Sequence, residues 1–218
     1  MSWHLILLVL TGVVTLLVLP PYTSVFEWWY HRDVMHHRFF LFPYSNTAHL
    51  AHHNLFRDDK SYLARTIDNA KTLPMEWWGG PGLVIVASVP FELFVCGPLA
   101  YFKQWDFVWV VLGVVVVWHM LYYAAFEYIH QSIHVPKNRW WEKTRIFRWY
   151  DAHHYYHHVD WGSNLNLVVP FADWAFGTLY PRAIHLPHHK QNVRPPTMEE
   201  RMQAILPHYQ PNGAFGIE

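Results

Sequence analysis

Three long apolar runs constrain the fold of this chain more than any other feature of its sequence. The first has no charge over residues 5–19, the second has Glu92 as its only charge, and the third has an uncharged core, FVWVVLGVVVVW. Since a helix crosses a bilayer with about 20 apolar residues, the sequence predicts three membrane-spanning helices. Their predicted bounds are about 3–26, 82–102 and 105–129.

Prolines and one short connection refine this prediction. Pro20 and Pro21 predict an interruption or a kink in the first helix, and Pro90 and Pro98 predict an irregular second helix. Only residues 103–105 connect the second apolar run to the third, so these two helices should form a hairpin.

The composition agrees with an integral membrane protein. Charged residues make up 15% of the chain, against roughly 25% in soluble domains. The 13 Trp residues suit rings placed at the lipid–water boundary. The net charge is zero, which offers nucleic acid no attraction, and one cysteine, Cys96, excludes an intrachain disulfide. We expect one domain over residues 1–218.

Basic residues predict the orientation of the chain in the membrane. Six Lys or Arg residues lie in the loop after the first span, nine lie after the third span and one, Lys103, lies in the hairpin. Because Lys and Arg favour the cytoplasmic side, residues 31–80 and 134–218 should be cytoplasmic and should form a helical cap.

Histidines carry most of the functional information. The chain has 18 of them, and most fall into four groups. The groups are His31-Arg-Asp-Val-Met-His36-His37, His49-Leu-Ala-His52-His53, His130-Gln-Ser-Ile-His134 and His153-His154-Tyr-Tyr-His157-His158. Residues at i, i+3 and i+4 share one face of a helix, so HxxHH should point three imidazoles into one sector. A spacing of five residues does not do this on an α-helix. His31 and His36 should therefore serve different metals, or the helix should unwind between them.

Other histidines do not fit this pattern. His185-Leu-Pro-His188-His189 repeats the HxxHH spacing, but the proline inside it disfavours a helix and suggests a surface or supporting role. His4 lies at the opposite end of the first span, and His119 lies in mid-span, where a hydrogen-bonded interior role is expected.

The number of clustered imidazoles predicts two metal ions. About ten ligands are too many for one ion, although imidazole alone does not distinguish iron, copper, zinc or nickel. The sequence has no HExxH motif, which weakens an interpretation as a zinc protease.

The spacing and order of these groups resemble the fatty acid hydroxylase/sterol desaturase superfamily. The segment Asp173-Trp-Ala-Phe176-Gly177-Thr178 is similar to the D-x-x-F-G-T ending of that family, whereas Asn164-Leu-Asn166 departs from its Asn-Tyr-Gly stretch. The first group also resembles the opening histidine motif of β-carotene hydroxylases. The resemblance covers roughly residues 27–180.

This resemblance implies a di-iron centre that activates O2 and hydroxylates a C–H bond of a lipid of the fatty acyl, sphingolipid or sterol type. Zinc or another divalent ion would be accepted in a heterologous preparation. The implied ligands are His31, His36, His49, His52, His53, His130, His134, His154, His157 and His158. His37 and His153 adjoin this set and are alternative ligands. In the fourth group, the ligand is therefore either His154 or His153.

Some expectations concern the surroundings of the centre. Carboxylates beside the histidine groups are candidates to fix the imidazole tautomers: Asp33, Glu127, Asp151, Asp160 and Asp173. Aromatic residues near the helix ends are expected to line a substrate approach from the bilayer: Trp28, Trp29, Phe39, Phe40, Tyr123, Phe126 and Tyr128.

Two alternatives remain open. A carotenoid ring hydroxylase or a lipid desaturase would use the same metal site, and a membrane metal-handling protein would use the metals without this chemistry. The oxygenase needs an external electron donor such as cytochrome b5, a ferredoxin or a reductase. Its location would be the endoplasmic reticulum in a eukaryote or the inner membrane in a bacterium, with the active site on the cytoplasmic side.

The charge distribution generates a first prediction. A reporter fused after residue 218 should be active on the cytoplasmic side, and the same reporter fused before residue 1 should not, because 15 of the 16 basic residues lie in the two segments predicted to be cytoplasmic. Paired fusions to a cytoplasm-active and an exterior-active reporter make the measurement. A C-terminal fusion active only outside would contradict the three-span orientation.

Overall fold

The computed structural model describes residues 2–57, 61–64, 66–75 and 79–180, and every regular element in these ranges is helical. The α-helices are α1 (Trp3–Trp29), α2 (Pro43–Leu55), α3 (Ile67–Lys71), α4 (Gly79–Phe91), α5 (Gly97–Tyr101), α6 (Trp105–His134), α7 (Arg145–Val159) and α8 (Phe171–Phe176). Two π-helical segments, Tyr30–Met35 and Glu92–Cys96, and a 3₁₀ helix, Trp140–Lys143, complete them. The prediction of an all-α fold is confirmed for these described residues.

Three helical runs are long and apolar enough to cross a membrane. They are Trp3–Met35, Gly79–Tyr101 and Trp105–His134. The first and third extend several residues beyond their predicted ends, because the histidine-bearing residues continue the helices. α1 passes through Pro20 and Pro21, so the interruption that was one of the two predicted outcomes is wrong, and the alternative of a kink stays a prediction. Membrane helices tolerate proline because neighbouring groups satisfy the carbonyls that it leaves free.

The second run is irregular, as predicted from its prolines. It is α-helical to Phe91, π-helical over Glu92–Cys96 and α-helical again from Gly97. The turn that follows is closed by two backbone bonds, from Phe102 N–H to Pro98 O at 3.0 Å and from Gln104 N–H to Leu99 O at 2.8 Å. The turn leads directly into α6 and confirms the hairpin.

The chain divides into two compact units, with boundaries inside α1 and α6. The apolar unit comprises Met1–Phe26 and Met75–Ala125, and the histidine unit comprises Glu27–Pro74 and Phe126–Glu218. The apolar unit has a core of small aliphatic side chains: Leu19, Cys96, Val108, Val111 and Val115. Many aliphatic side chains on the outer face of α1 are exposed, as expected for a surface in contact with lipid.

Polar side chains tie the helices of the apolar unit together. Trp118 donates its indole N–H to Thr23 Oγ1 at 2.9 Å, and Tyr22 donates its hydroxyl to Ala87 O at 2.7 Å. His119 is buried and lies 3.2 Å from Ser88 Oγ through Nδ1, which confirms its expected role as a hydrogen-bonded interior residue. Hydrogen bonds between helices of this kind stabilise packing where lipid offers no partner.

The histidine unit contains all four histidine groups. Its main core consists of Tyr62, Leu63, Ile129, Ile133, Phe147, Tyr155 and Leu167. α7 begins after Thr144, whose hydroxyl accepts from Phe147 N–H at 3.2 Å and so caps the helix. α8 ends at Gly177, which has a φ of 74°, a left-handed conformation that suits glycine.

A close contact in the apolar unit generates a second prediction. A Cβ atom on buried Gly80 would lie 2.4 Å from the ring of Tyr123. Gly80→Ala should therefore destabilise the protein by about 1–3 kcal/mol through overpacking. Thermal unfolding in detergent measures this cost. Gly82→Ala is the matched control, because nothing lies within 4 Å of its Cβ position. An unchanged melting temperature for Gly80→Ala would contradict the contact.

Candidate metal centre

The first histidine group lies on a π-helical segment, and this explains its spacing. The segment Tyr30–Met35 continues α1 with a wider turn, and His36 N–H donates to His31 O, five residues back, at 3.1 Å. A π turn places residues i and i+5 on one side. The rings of His31 and His36 are consequently stacked with their centroids 5.1 Å apart. The helix widens between them rather than unwinding.

Contacts with α2 hold this π segment in place. Asn46 donates its side-chain amide to Met35 O at 2.8 Å, and the hydroxyl oxygens of Tyr30 and Ser45 lie 2.7 Å apart. Asn46 belongs to the same helix as the second histidine group, so the bond fixes the two groups relative to each other.

The imidazole Nε2 atoms converge in two groups. Residues whose ligand atoms all lie within 4.8 Å of one another form a first group of five and a second group of four. The first group is His31, His36, His49, His53 and His157. The second group is His52, His130, His134 and His154. His158 borders the second group, with its Nε2 atom 3.2 Å from that of His52 and 3.0 Å from that of His154.

Each HxxHH motif serves both groups. On α2, His49 and His53 belong to the first group and His52 belongs to the second. On α7 the arrangement is reversed, because His154 and His158 lie at the second group and His157 lies at the first. Adjacent helical residues point about 100° apart, so a His-His pair can address two sites. Each motif was expected to point three rings into one sector, but in the structure its three rings divide between the two groups.

The spacing of the Nε2 atoms fits a metal ion. Neighbouring Nε2 atoms are 2.9–3.3 Å apart in the first group and 3.0–3.3 Å apart around the second. Nitrogen ligands at about 2.1 Å from one ion would be roughly 3.0–3.4 Å apart in octahedral or tetrahedral geometry. Both groups could hold a metal ion.

Main-chain carbonyls fix the tautomers of the rings. In the first group, His31 donates Nδ1–H to Leu165 O at 2.5 Å and His157 donates Nδ1–H to Ser163 O at 2.8 Å. A carbonyl only accepts, so the ring hydrogen sits on Nδ1 and the Nε2 lone pair faces the group.

The same arrangement occurs around the second group. His134 donates Nδ1–H to Tyr62 O at 2.7 Å, and His158 donates Nδ1–H to Phe56 O. Metal-ligating histidines are commonly oriented by a bond of this kind from the other ring nitrogen.

Hydrogen bonds among the rings cannot account for all of these contacts. His49 Nε2 lies 2.9 Å from His31 Nε2, 3.3 Å from His36 Nε2 and 3.0 Å from His53 Nε2. Since His31 presents a lone pair, the first contact is a hydrogen bond only if His49 donates its single Nε2 hydrogen there. The other two contacts are then left without a donor or a lone pair on His49. A shared cation would satisfy every nitrogen together.

Burial keeps the imidazoles neutral. Desolvation, followed by the neighbouring imidazoles, holds the pKa of His49 and of His52 well below the usual value and lowers the pKa of His36 to about 2. The pKa of His154 and of His158 is lowered for the same two reasons. Neutral rings are the form that binds a metal.

The other histidines of the described residues lie outside the two groups. His153 points away from both groups, donates Nε2–H to Asn166 O at 2.7 Å and stacks on Trp149, so the structure places His154 rather than His153 beside the second group. His37 donates Nδ1–H to Arg32 O, and His4 lies 3.1 Å from Asp106. The copy of the motif at residues 185–189 lies outside the described residues.

The carboxylates expected to orient the rings are engaged in other contacts. Asp33 pairs with Arg32 at 2.7 Å, and Glu127 accepts from Gln131 at 3.1 Å. Asp173 accepts from backbone amides and is 3.8 Å from His153. The main-chain carbonyl of Asp151 accepts from the Tyr62 hydroxyl at 3.4 Å, and that of Asp160 accepts from Ser163 N–H at 3.0 Å. Main-chain carbonyls orient the four rings whose tautomers are fixed above.

Aromatic residues surround the centre unevenly. The ring centroid of Phe126 is 5.8 Å from that of His130, so Phe126 lies beside the second group. Trp28 is instead buried and donates its indole N–H to Thr178 Oγ1 at 2.9 Å, which indicates a structural role. Tyr123 belongs to the apolar unit.

Two residues of the surrounding structure were missed from the sequence. Trp161 lies against the first group, with its ring centroid 4.9 Å from that of His53 and 5.6 Å from that of His36. Glu27 is buried and accepts from Leu167 N–H at 2.7 Å. Glu27 had a signal, because it is the first charged residue of the chain and precedes His31 by one helical turn. Trp161, in a loop after α7, had none.

Comparisons of the chain with protein-family models, with curated proteins and with solved structures found no match.

The surroundings of the first group generate a third prediction. His36 is the one member of the two groups that is not fully buried, and Trp161, 39% exposed, lies over it. Trp161→Ala should therefore speed the removal of one bound ion by a chelator roughly tenfold, because the surrounding shell controls solvent access. Release of Co²⁺ into excess EDTA, followed by absorbance, measures the rate.

Trp149→Ala is the matched control for this measurement. Trp149 is similarly exposed, at 43%, but stacks on His153 outside both groups. Equal release rates for Trp161→Ala and the unaltered protein would contradict a covering role for Trp161.

Proposed function

We propose that this protein is a membrane monooxygenase with a non-haem di-iron centre, and that it hydroxylates a C–H bond of a lipid. The observation that carries the proposal is the convergence of ten imidazole Nε2 atoms in two groups at ligand spacing. The three helices of membrane length and the resemblance of the histidine spacing to fatty acid hydroxylases and sterol desaturases support it further.

The residues present suit two iron ions. The first would be held by His31, His36, His49, His53 and His157, and the second by His52, His130, His134, His154 and His158. When bound, the two ions would supply the activation of O2 and the oxidation of an unactivated C–H bond. The protein would contribute neutral ligands with fixed tautomers and a site from which water is largely excluded, because nine of the ten rings are buried.

A lipid substrate is favoured by where the ligands lie in the chain. His31 belongs to the first membrane-length run, and His130 and His134 belong to the third. A centre built on the last turns of membrane helices can receive an apolar molecule directly from the bilayer. Phe126, one turn before His130 on α6, is the aromatic residue that we propose contacts the substrate.

The positive-charge pattern favours an orientation in which this centre lies on the cytoplasmic side. Electrons would come from a separate donor protein, as proposed from the resemblance. Iron is the proposed metal, although zinc or another divalent ion would occupy the same nitrogens in a heterologous preparation.

A metal transporter is disfavoured by the apolar unit. Transport requires ionisable residues facing a path through the spans. Glu92 is the acidic residue inside the second run, and its side chain is exposed on the outside of the unit. His119 is buried and bonded to Ser88. The desaturase and the carotenoid hydroxylase share the proposed site, and the product distinguishes them.

The proposed function is tested by metal analysis and lipid mass spectrometry of cells expressing the protein. The purified protein should contain two ions per chain, and the cells should accumulate a lipid heavier by one oxygen atom. His53→Ala and His157→Ala should abolish this product, because each removes a ligand from the first group. His37→Ala is the matched control, since His37 adjoins His36 in sequence but lies outside both groups.

Each alternative has its own outcome in this experiment. A lipid with a new double bond would indicate a desaturase, and an oxidised carotenoid would indicate a carotenoid hydroxylase. Bound metal without any change in lipids would favour metal handling. One ion per chain in a fully loaded, active preparation, or full activity of His157→Ala, would refute the di-iron proposal.

A further inference from the structure

The two histidine groups take their ring orientation from different segments of the chain. The carbonyls of Ser163 and Leu165, between α7 and α8, accept from rings of the first group. The carbonyls of Phe56 and Tyr62, after α2, accept from rings of the second group or its border. A substitution that alters one segment should therefore affect the ring orientation in one group more than in the other.

The segment between α7 and α8 is held by two buried carboxylates. Asp173 is fully buried and accepts from Leu165 N–H at 2.9 Å and from Asn166 N–H at 2.7 Å. Glu27 accepts from Leu167 N–H at 2.7 Å and from the Asn166 side chain at 3.2 Å. Hydrogen bonds to ionised acceptors are roughly twice as strong as neutral ones, so these bonds fix three consecutive amides.

One peptide unit connects Asp173 to the first group. The peptide between Leu165 and Asn166 donates its N–H to Asp173 Oδ2, and its C=O accepts Nδ1–H from His31 at 2.5 Å. A carboxylate, a peptide and an imidazole are thus joined in series. Hydrogen bonds in series polarise one another, so the negative charge on Asp173 should strengthen the bond to His31 and raise the basicity of its Nε2 atom.

The next peptide provides an internal comparison. The peptide between Asn166 and Leu167 donates its N–H to Glu27, and its C=O accepts from His153. His153 belongs to neither group. Glu27 and Asp173 are therefore two buried carboxylates that hold the same segment, and the peptide held by Asp173 is the one that accepts from a ring of the first group.

Further contacts show that Asp173 is itself fixed. Thr178 donates its hydroxyl to Asp173 Oδ1 at 2.6 Å, and Trp28 donates its indole N–H to Thr178 Oγ1 at 2.9 Å. Asn166 Oδ1 accepts from Asp173 N–H at 3.1 Å. The carboxylate thus has one orientation relative to the segment that it holds.

We propose that Asp173 is a positioning residue of the first metal site, acting on His31 through the Leu165–Asn166 peptide and leaving the second site unaffected. This inference rests on the proposed binding of two ions. It assigns a task to the acid of the Asp-x-x-Phe-Gly-Thr segment, which is to hold the peptide that orients His31.

The experiment is a Co²⁺ titration of the purified full chain in detergent, followed by absorbance and by metal analysis. His53→Ala and His130→Ala assign the spectra, because each removes a ligand from one group only. Asp173→Asn should weaken binding of the first ion about 10- to 100-fold, the usual loss when the partner of a ligand is changed. Its second ion should bind unchanged, which also demonstrates that the variant is folded.

Glu27→Gln is the matched control and should bind both ions as the unaltered protein does. Thr178→Val is a milder second variant, which removes the hydroxyl bond to Asp173 and should weaken the first ion less. The inference is overturned if Asp173→Asn binds both ions normally, if both ions weaken together, or if Glu27→Gln weakens the first ion equally. Failure of the unaltered protein to bind two ions would instead refute the proposed centre, and this inference with it.

Discussion

The bond from imidazole Nδ1–H to a main-chain carbonyl is the interaction on which the candidate centre depends. Both nitrogens of a buried imidazole need a hydrogen-bond or metal partner, and an unconstrained neutral ring can carry its hydrogen on either nitrogen. The carbonyls of Leu165, Ser163 and Tyr62 accept from Nδ1–H and so fix the tautomer. The lone pair of each of these rings is then on Nε2 and points toward its histidine group. Without such bonds, closely packed neutral rings would pair with one another, and the groups would lose their affinity for a cation.

These carbonyls are available because irregular segments pass beside the helices. A carbonyl inside an α-helix is already bonded, whereas the loops after α2 and α7 have acceptors to spare. The loops need to be held in turn. Asp173 and the left-handed Gly177 do this for the segment after α7, so the orientation of His31 depends on residues that belong to neither group.

The sequence predicted much of this arrangement, because helical spacing converts directly into a shared face. The three spans and the hairpin follow from apolar length, and the shared helix faces within the second, third and fourth histidine groups follow from periods of three and four residues. The full set of ten candidate ligands was implied by the family resemblance. The relation between His31 and His36 did not follow, since a π turn differs from an α turn by one residue and has no recognised sequence signal. The carbonyl partners could not be predicted, because any loop residue offers the same carbonyl whatever its side chain.

The distribution of ligands between the groups has a further consequence. Two helices, α2 and α7, contribute to both groups in opposite proportion, while the π segment serves only the first and α6 serves only the second. The ten rings are thus related by an approximate exchange of roles, with five imidazoles in the first group and five at the second when the bordering His158 is counted with it.

The surroundings break this symmetry. The first group includes the partly exposed His36 beneath Trp161, whereas the rings of the second are buried and adjoin Phe126. Equal donor sets in unequal surroundings differ in access to water and in local polarity, and both properties tune a bound ion. Two ions held here would be chemically distinct although their ligands are the same in kind and number.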